Sequence, residues 1–63
     1  MKVYCLFKFG CEWEELIDVY SDKRKAITWI KTEFPTYKKQ EDKTYQEDKF
    51  DSKGCLIVEK EVK

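Results

Sequence analysis

The chain has 63 residues, with thirteen Lys and Arg balanced by thirteen Asp and Glu, no histidine, 41% charged residues and 16% aromatic residues. A chain of this length buries about 60% of its unfolded surface, enough for one thin core over residues 1–63 and too little for a two-domain enzyme or a cofactor held between lobes. The aromatic content argues against wholesale disorder, and charge neutrality removes the long-range attraction on which non-specific nucleic-acid binding depends.

Residues 2–9 alternate, with Val3, Cys5, Phe7 and Phe9 on one side and Lys2, Tyr4, Leu6 and Lys8 on the other. A period of two is the mark of a strand. Gly10-Cys11 reads as a turn. Residues 13–20 alternate again, Trp13, Glu15, Ile17 and Val19 against Glu14, Leu16, Asp18 and Tyr20. Together the two segments predict an antiparallel hairpin.

Ser21 can end the second strand and cap a helix through its hydroxyl, with Asp22 adding a favourable charge to the first turn. Ala26, Ile27, Ile30 and Phe34 then share one helical face, with Trp29 at its flank. Pro35 stops the helix by biasing Phe34 out of helical geometry. The predicted helix spans 22–34.

The segment 38–53 is polar, with ten charged residues among sixteen, and Gln40-Glu41-Asp42-Lys43 recurs as Gln46-Glu47-Asp48-Lys49. A period of six keeps one strand face but turns about 240° around a helix. The spacing therefore favours a loop over 36–42 and a polar edge strand over 43–50, whose charges discourage pairing with other chains. A second helix over 37–47 is the alternative, because Lys, Gln and Glu favour helix. Asp51-Ser52-Lys53-Gly54 is a turn signal. Cys55-Leu56-Ile57-Val58 opens a last strand to about Val62, expected to be central because successive large apolar residues suit burial on both faces.

The predicted fold is α+β, ββαββ, a four-stranded antiparallel sheet with one helix packed on one face. The core expected under the helix is Phe7, Phe9, Ile17, Val19, Ile27, Ile30, Phe34 and Ile57. One helix covers one face only. Tyr4, Leu6, Leu16 and Tyr20, with some of Trp13, Trp29, Tyr37 and Tyr45, are then expected on the far face or rim.

The longest apolar runs fall far short of the ~20 residues of a membrane span. Lys8 interrupts the N-terminal apolar stretch, and no small-residue cleavage site follows, so no signal peptide is read and a cytoplasmic location is expected. The three cysteines, Cys5, Cys11 and Cys55, are an odd set for a disulfide framework. Without histidine they do not supply the four close ligands of a zinc site. No metal and no cofactor are expected, and Cys11, in the turn, is the thiol expected to be exposed.

Val19-Tyr20-Ser21-Asp22, followed by Lys23-Arg24-Lys25-Ala26 and Trp29-Ile30, resembles small uncharacterised phage and prophage ββαββ proteins of low-GC bacteria. In these a Val-Tyr-Ser signature joins the second strand to a helix with an early alanine. The resemblance covers residues 2–34. It carries no catalytic residue. It implies a viral protein in the host cytoplasm that acts by binding, as inhibitors of host antiviral defence do.

The residues themselves weigh against catalysis. Without histidine, no side chain has an unperturbed pKa near 7, and a thin core offers little depth for tuning a carboxylate or lysine. Glu12, Glu14, Glu15 and Asp18 read as a solvated face. Lys23, Arg24 and Lys25 open the helix, where basic groups can grip a phosphate. Four acids precede them, and no basic face results, so nucleic acid is not the expected partner. The aromatic surplus points to protein binding, since Tyr and Trp most often anchor interfaces. The candidate binding residues are Trp13, Trp29, Tyr20, Tyr37 and Tyr4, and the expected partners are a host protein and a second copy of the chain. The alternatives are an oligomer that sequesters a nucleotide-like ligand through Lys23, Arg24 and Lys25, or an accessory protein without inhibitory activity.

Overall fold

The computed structural model describes residues 1–41, 43–48 and 50–62. The predicted hairpin forms β1 (Lys2–Phe9) and β2 (Glu14–Tyr20), and the helix forms α1 (Lys23–Glu33). Three strands follow: β3 (Lys38–Lys39), β4 (Thr44–Gln46) and β5 (Gly54–Glu61). All pairings are antiparallel, in the order β2-β1-β5-β4-β3. The sheet thus has five strands in place of the four expected, and the order is ββαβββ. β5 is central, as its apolar run predicts.

The differences lie in the polar segment. The stretch read as a loop over 36–42 contains β3, and the strand read over 43–50 shrinks to β4. No helix forms over 37–47 among the described residues; Asp42 and Lys49, members of the charged repeat, lie outside them. Gln46 ends β4 early because its side chain turns inward. Its Nε2 donates to the carbonyls of Asp51 (2.6 Å) and Lys53 (3.4 Å), drawing the following turn against the strand end. A buried amide needs such partners.

The helix begins one residue later than read. Asp22, not Ser21, is the N-cap: its carboxylate accepts the Arg24 backbone N–H at 2.9 Å. At the other end Phe34 N–H returns to the Ile30 carbonyl, and Pro35 begins the exit turn closed by Tyr37 N–H on the Phe34 carbonyl.

The helix covers the opposite sheet face from the one expected. The buried centre is Leu6, Ala26, Ile30, Tyr45, Cys55 and Ile57, with Tyr4, Ile17, Tyr20, Ile27, Trp29, Phe34 and Tyr37 packed around it. Ile17, Ile27, Ile30, Phe34 and Ile57 are core residues as read. Phe7, Phe9 and Val19 are not: their register partners are Leu16 and Leu56, Glu14 and Gly54, and Cys5 respectively, on the side away from the helix.

Two physical reasons account for the exchange. The first is that Lys2 and Lys8 make the Leu6 side look polar but sit at its ends. Lys2 pairs with Glu59, and the Lys8 ammonium stands 5.3 Å from the Phe34 ring centre. Eleven helical residues span about 16 Å and cover the middle of the sheet only. The second is a bulge, where register slips between Leu6 and Phe7 as their partners change from Asp18 to Leu16. The extra residue, Ile17, breaks the period of two in β2. Val19 therefore joins Leu16 on the open side, and Tyr20 joins Ile17 under the helix.

Candidate functional site

The side of the sheet without a helix carries Val3, Cys5, Phe7 and Phe9 from β1, Leu16 and Val19 from β2, and Leu56 and Val58 from β5. Thr44 of β4 lies beside Leu56. Leu16 is 51% and Val19 46% exposed. Register places Glu14 beside Phe9 at the hairpin end of this face and Lys60 beside Val3 at the other. The face is apolar through its middle, with Glu14 on β2 and Lys38 on β3 at the hairpin end and Lys60 at the other.

The hairpin closes in a four-residue turn, with Gly10 N–H on the Trp13 carbonyl at 2.9 Å. The Trp13 indole lies across Gly10, in the space a side chain there would take. It remains 49% exposed. Trp13 lines a shallow groove of about 490 Å³ with Phe9, Cys11, Glu12, Glu14 and Leu56. An aromatic wall, an apolar floor and two carboxylates at the rim suit an apolar side chain flanked by basic groups. Glu15 and Asp18 continue the exposed acidic edge along β2.

The other aromatic candidates are placed differently. Trp29 and Tyr37 flank Phe34 in a row: Trp29 and Phe34 tilt together at 6.0 Å, and Phe34 and Tyr37 stack at 4.6 Å. Tyr4 and Tyr20 face each other across β1 and β2. All four are half-buried against the core on the helix side. Burial first, then the charges of Cys55, Asp51 and Glu47, pushes the Tyr37 phenol up, and burial and then Asp18 raise Tyr20. Trp29 and Tyr37 thus meet at Phe34, and the Lys8 ammonium, 5.3 Å from the Phe34 ring centre and 6.0 Å from that of Trp13, joins Trp13 to their row, while Tyr4 pairs with Tyr20.

The basic candidates also separate. Arg24 turns back on Asp22, Nη2 to Oδ2 at 3.2 Å. That pairing, led by the hydrogen bond from the Arg24 backbone N–H, holds the Asp22 carboxyl below its usual range. Lys25 is exposed, while Lys23 lines a cavity of about 350 Å³ with Tyr4, Lys43, Ile57 and Glu59. Lys43 joins Lys23 only through the fold; nothing in the spacing announces it.

Among the described residues no group of three or more Cys, Asp and Glu is placed to hold a metal, and no helix is long and apolar enough to cross a membrane. Cys11 is exposed, Cys5 and Cys55 are buried, and all three are free thiols. Burial pushes the Cys55 thiol up to about 11 from an ordinary 9.0, with Lys8 opposing.

The chain matches no described protein family, no curated protein and no solved structure.

Proposed function

We propose that this chain is a non-catalytic binding protein of phage type that inhibits a host protein of antiviral defence, with the Trp13 hairpin as its contact. The observation that carries the binding role is the Trp13 groove: a half-exposed indole over an apolar floor, rimmed by Glu12 and Glu14. Such an aromatic is the kind of residue on which interface energy concentrates. The acidic rim and the carboxylates of β2 favour a basic surface on the target. The phage and defence roles rest on the Val19-Tyr20-Ser21 resemblance, and the host cytoplasm is the compartment that goes with them.

The test is capture from host lysate by the tagged chain, compared with Trp13→Ala and Trp29→Ala. One host protein retained at near-stoichiometric level by the parent, and lost by Trp13→Ala while that variant stays folded, supports the reading. Equal capture by Trp13→Ala overturns the choice of the hairpin.

A second reading has its own observation. Lys23 and Lys43 share a cavity with Tyr4, Ile57 and Glu59, two ammonium groups against one carboxylate beside an aromatic ring, which suits a nucleotide-like anion. Thermal-shift screening against linear and cyclic nucleotides decides it, because a ligand bound to the native state raises its melting temperature. Stabilisation that disappears in Lys23→Glu supports sequestration, and no shift at saturating ligand counts against it.

A further inference from the structure

We infer that the cavity between Lys23 and Lys43 selects a guanine mononucleotide, with the Glu59 carboxylate reading the base. The inference rests on the second reading above, an anion held in that cavity, and adds which anion it is.

The cavity lies on the helix-covered side of the sheet, at the N-terminal end of α1. Tyr4 and Glu59 are directly paired across β1 and β5, and Ile57 stands two residues from Glu59 on the same face. Lys23 is the first helical residue. Lys43 is fixed beside Ile57, because its carbonyl accepts the Ile57 N–H at 2.9 Å.

The charges at this end leave a surplus of cation. Lys2 stands against Glu59, Nζ to Oε2 at 3.7 Å, the Met1 ammonium stands against Glu61, and Arg24 stands against Asp22. Lys23 and Lys43 make no ion pair with a described residue, and the first turn of α1 contains no acid. Their two ammonium groups match the roughly two negative charges of a phosphate monoester at neutral pH. The positive end of the helix dipole acts in the same direction.

Volume and overall charge limit the ligand to a single nucleotide. The cavity measures about 350 Å³, close to the roughly 300 Å³ at which small-molecule sites begin. The chain is neutral and carries no basic stripe for the polyanion of a nucleic acid, so the ligand is the free nucleotide.

Glu59 chooses the base. Directly opposed residues on neighbouring strands stand about 5 Å apart, so a base stacked on the Tyr4 ring brings its edge to the Glu59 carboxylate. An ionised carboxylate only accepts hydrogen bonds, at about four lone-pair sites. Lys2 engages Oε2 and leaves the others open. Guanine presents two adjacent donors on its Watson–Crick edge, N1–H and the 2-amino group, one for each carboxylate oxygen. Adenine offers its 6-amino group beside the lone pair of N1, which the carboxylate repels. Cytosine has the same mismatch at N3, and uracil sets a carbonyl on either side of its single donor. An acceptor-only group at the base edge therefore rejects every common base except guanine.

The experiment is thermal shift and calorimetry of the full chain with guanosine, inosine and adenosine monophosphates and with unphosphorylated guanosine. A ligand bound to the native state raises its melting temperature. Guanosine monophosphate should bind most tightly, inosine monophosphate, which lacks the 2-amino group, less so, and adenosine monophosphate about tenfold more weakly than the first, as the loss of a hydrogen bond to a charged group predicts. Unphosphorylated guanosine should also bind more weakly, lacking the charge that meets the lysines. The Glu59 side chain is 51% exposed, which keeps the ratio well below the roughly 10⁴ of a fully buried reader. Glu59→Gln should reverse the preference, because an amide presents one donor and one acceptor, the complement of the adenine edge. The fold tolerates this change, since it gives up only an exposed ion pair with Lys2. A guanine preference that survives Glu59→Gln overturns the inference. Equal binding of the guanine and adenine nucleotides, abolished by Lys23→Glu, overturns the choice of base and leaves the anion reading in place. No stabilisation by any of the four at saturation removes both, and leaves capture through Trp13 untouched.

Discussion

The indole of Trp13 occupies the space in which a β-carbon at Gly10 would lie. The two residues close the hairpin turn together, Gly10 N–H donating to the Trp13 carbonyl. Glycine is required at position 10 by space and not by a left-handed backbone, since no glycine here has a positive φ.

Gly10→Ala should therefore displace the indole. The expected loss is about 1–3 kcal/mol, the usual cost of forcing an extra carbon into a filled space. Tryptophan emission should shift to the red, and target capture should weaken as in Trp13→Ala. Unchanged emission and unchanged stability would mean that the ring is not held there.

Leu6→Ala and Leu16→Ala should separate the two faces. Leu6 is fully buried under the helix, and its truncation should cost about 2–5 kcal/mol. Leu16 is half-exposed, and its truncation should cost the monomer about 0.5 kcal/mol or less. Denaturant unfolding at low protein concentration reads both. The reverse order would put the helix on the Phe7 side.

Gln46→Ala should loosen the turn that follows β4. The residue is 8% exposed and its amide holds the Asp51 and Lys53 carbonyls, while Gln40 Nε2 holds the Gln46 carbonyl. Removing the donor leaves carbonyls short of a partner, at about 1–3 kcal/mol. Hydrogen exchange should rise at Asp51, Ser52 and Lys53 before it rises in β1.

The thiols should react in two classes. Cys11 should be alkylated in the native protein at mildly alkaline pH, and Cys55 only on unfolding, because it is buried and its thiol is held protonated. The same shift sets a sign for stability. Cys55 has a folded pKa of about 11, above its ordinary 9.0. Its contribution is full below the ordinary value and is lost as pH rises through the folded one. Melting temperature should fall across that interval, and Cys55→Ala should flatten this part of the fall.

The hairpin, the helix and the central last strand were legible because each is a local pattern. Alternation around Cys5 and Leu6, the Ala26–Ile30 face and the Pro35 stop are written within a few residues of one another. The polar segment was harder to read. β3 and β4 have little apolar alternation, and a single side chain, Gln46, sets where the strand ends. Of the candidate site, Trp13 was legible as a turn aromatic. Its approach to the Lys8 ammonium, which also stands against the Phe34 ring, was not, since that depends on how the turn and the helix end fold over the same strand.

The amino-acid sequence by itself determined a small α+β chain with one helix, a hairpin and a central apolar strand, because propensity and periodicity act over a turn or a strand length. Tertiary structure alone decided which sheet face is covered. Both faces of β1 and β5 are apolar at mid-strand, so the binary pattern does not distinguish Leu6 and Ile57 from Phe7 and Val58. The choice came from the bulge at Ile17, which puts Val19 on the side of Leu16 and Tyr20 on the side of Ile17, and from a helix short enough to leave Lys2 and Lys8 at the ends of the covered face. Those are long-range facts, set by the packing of segments far apart in the chain.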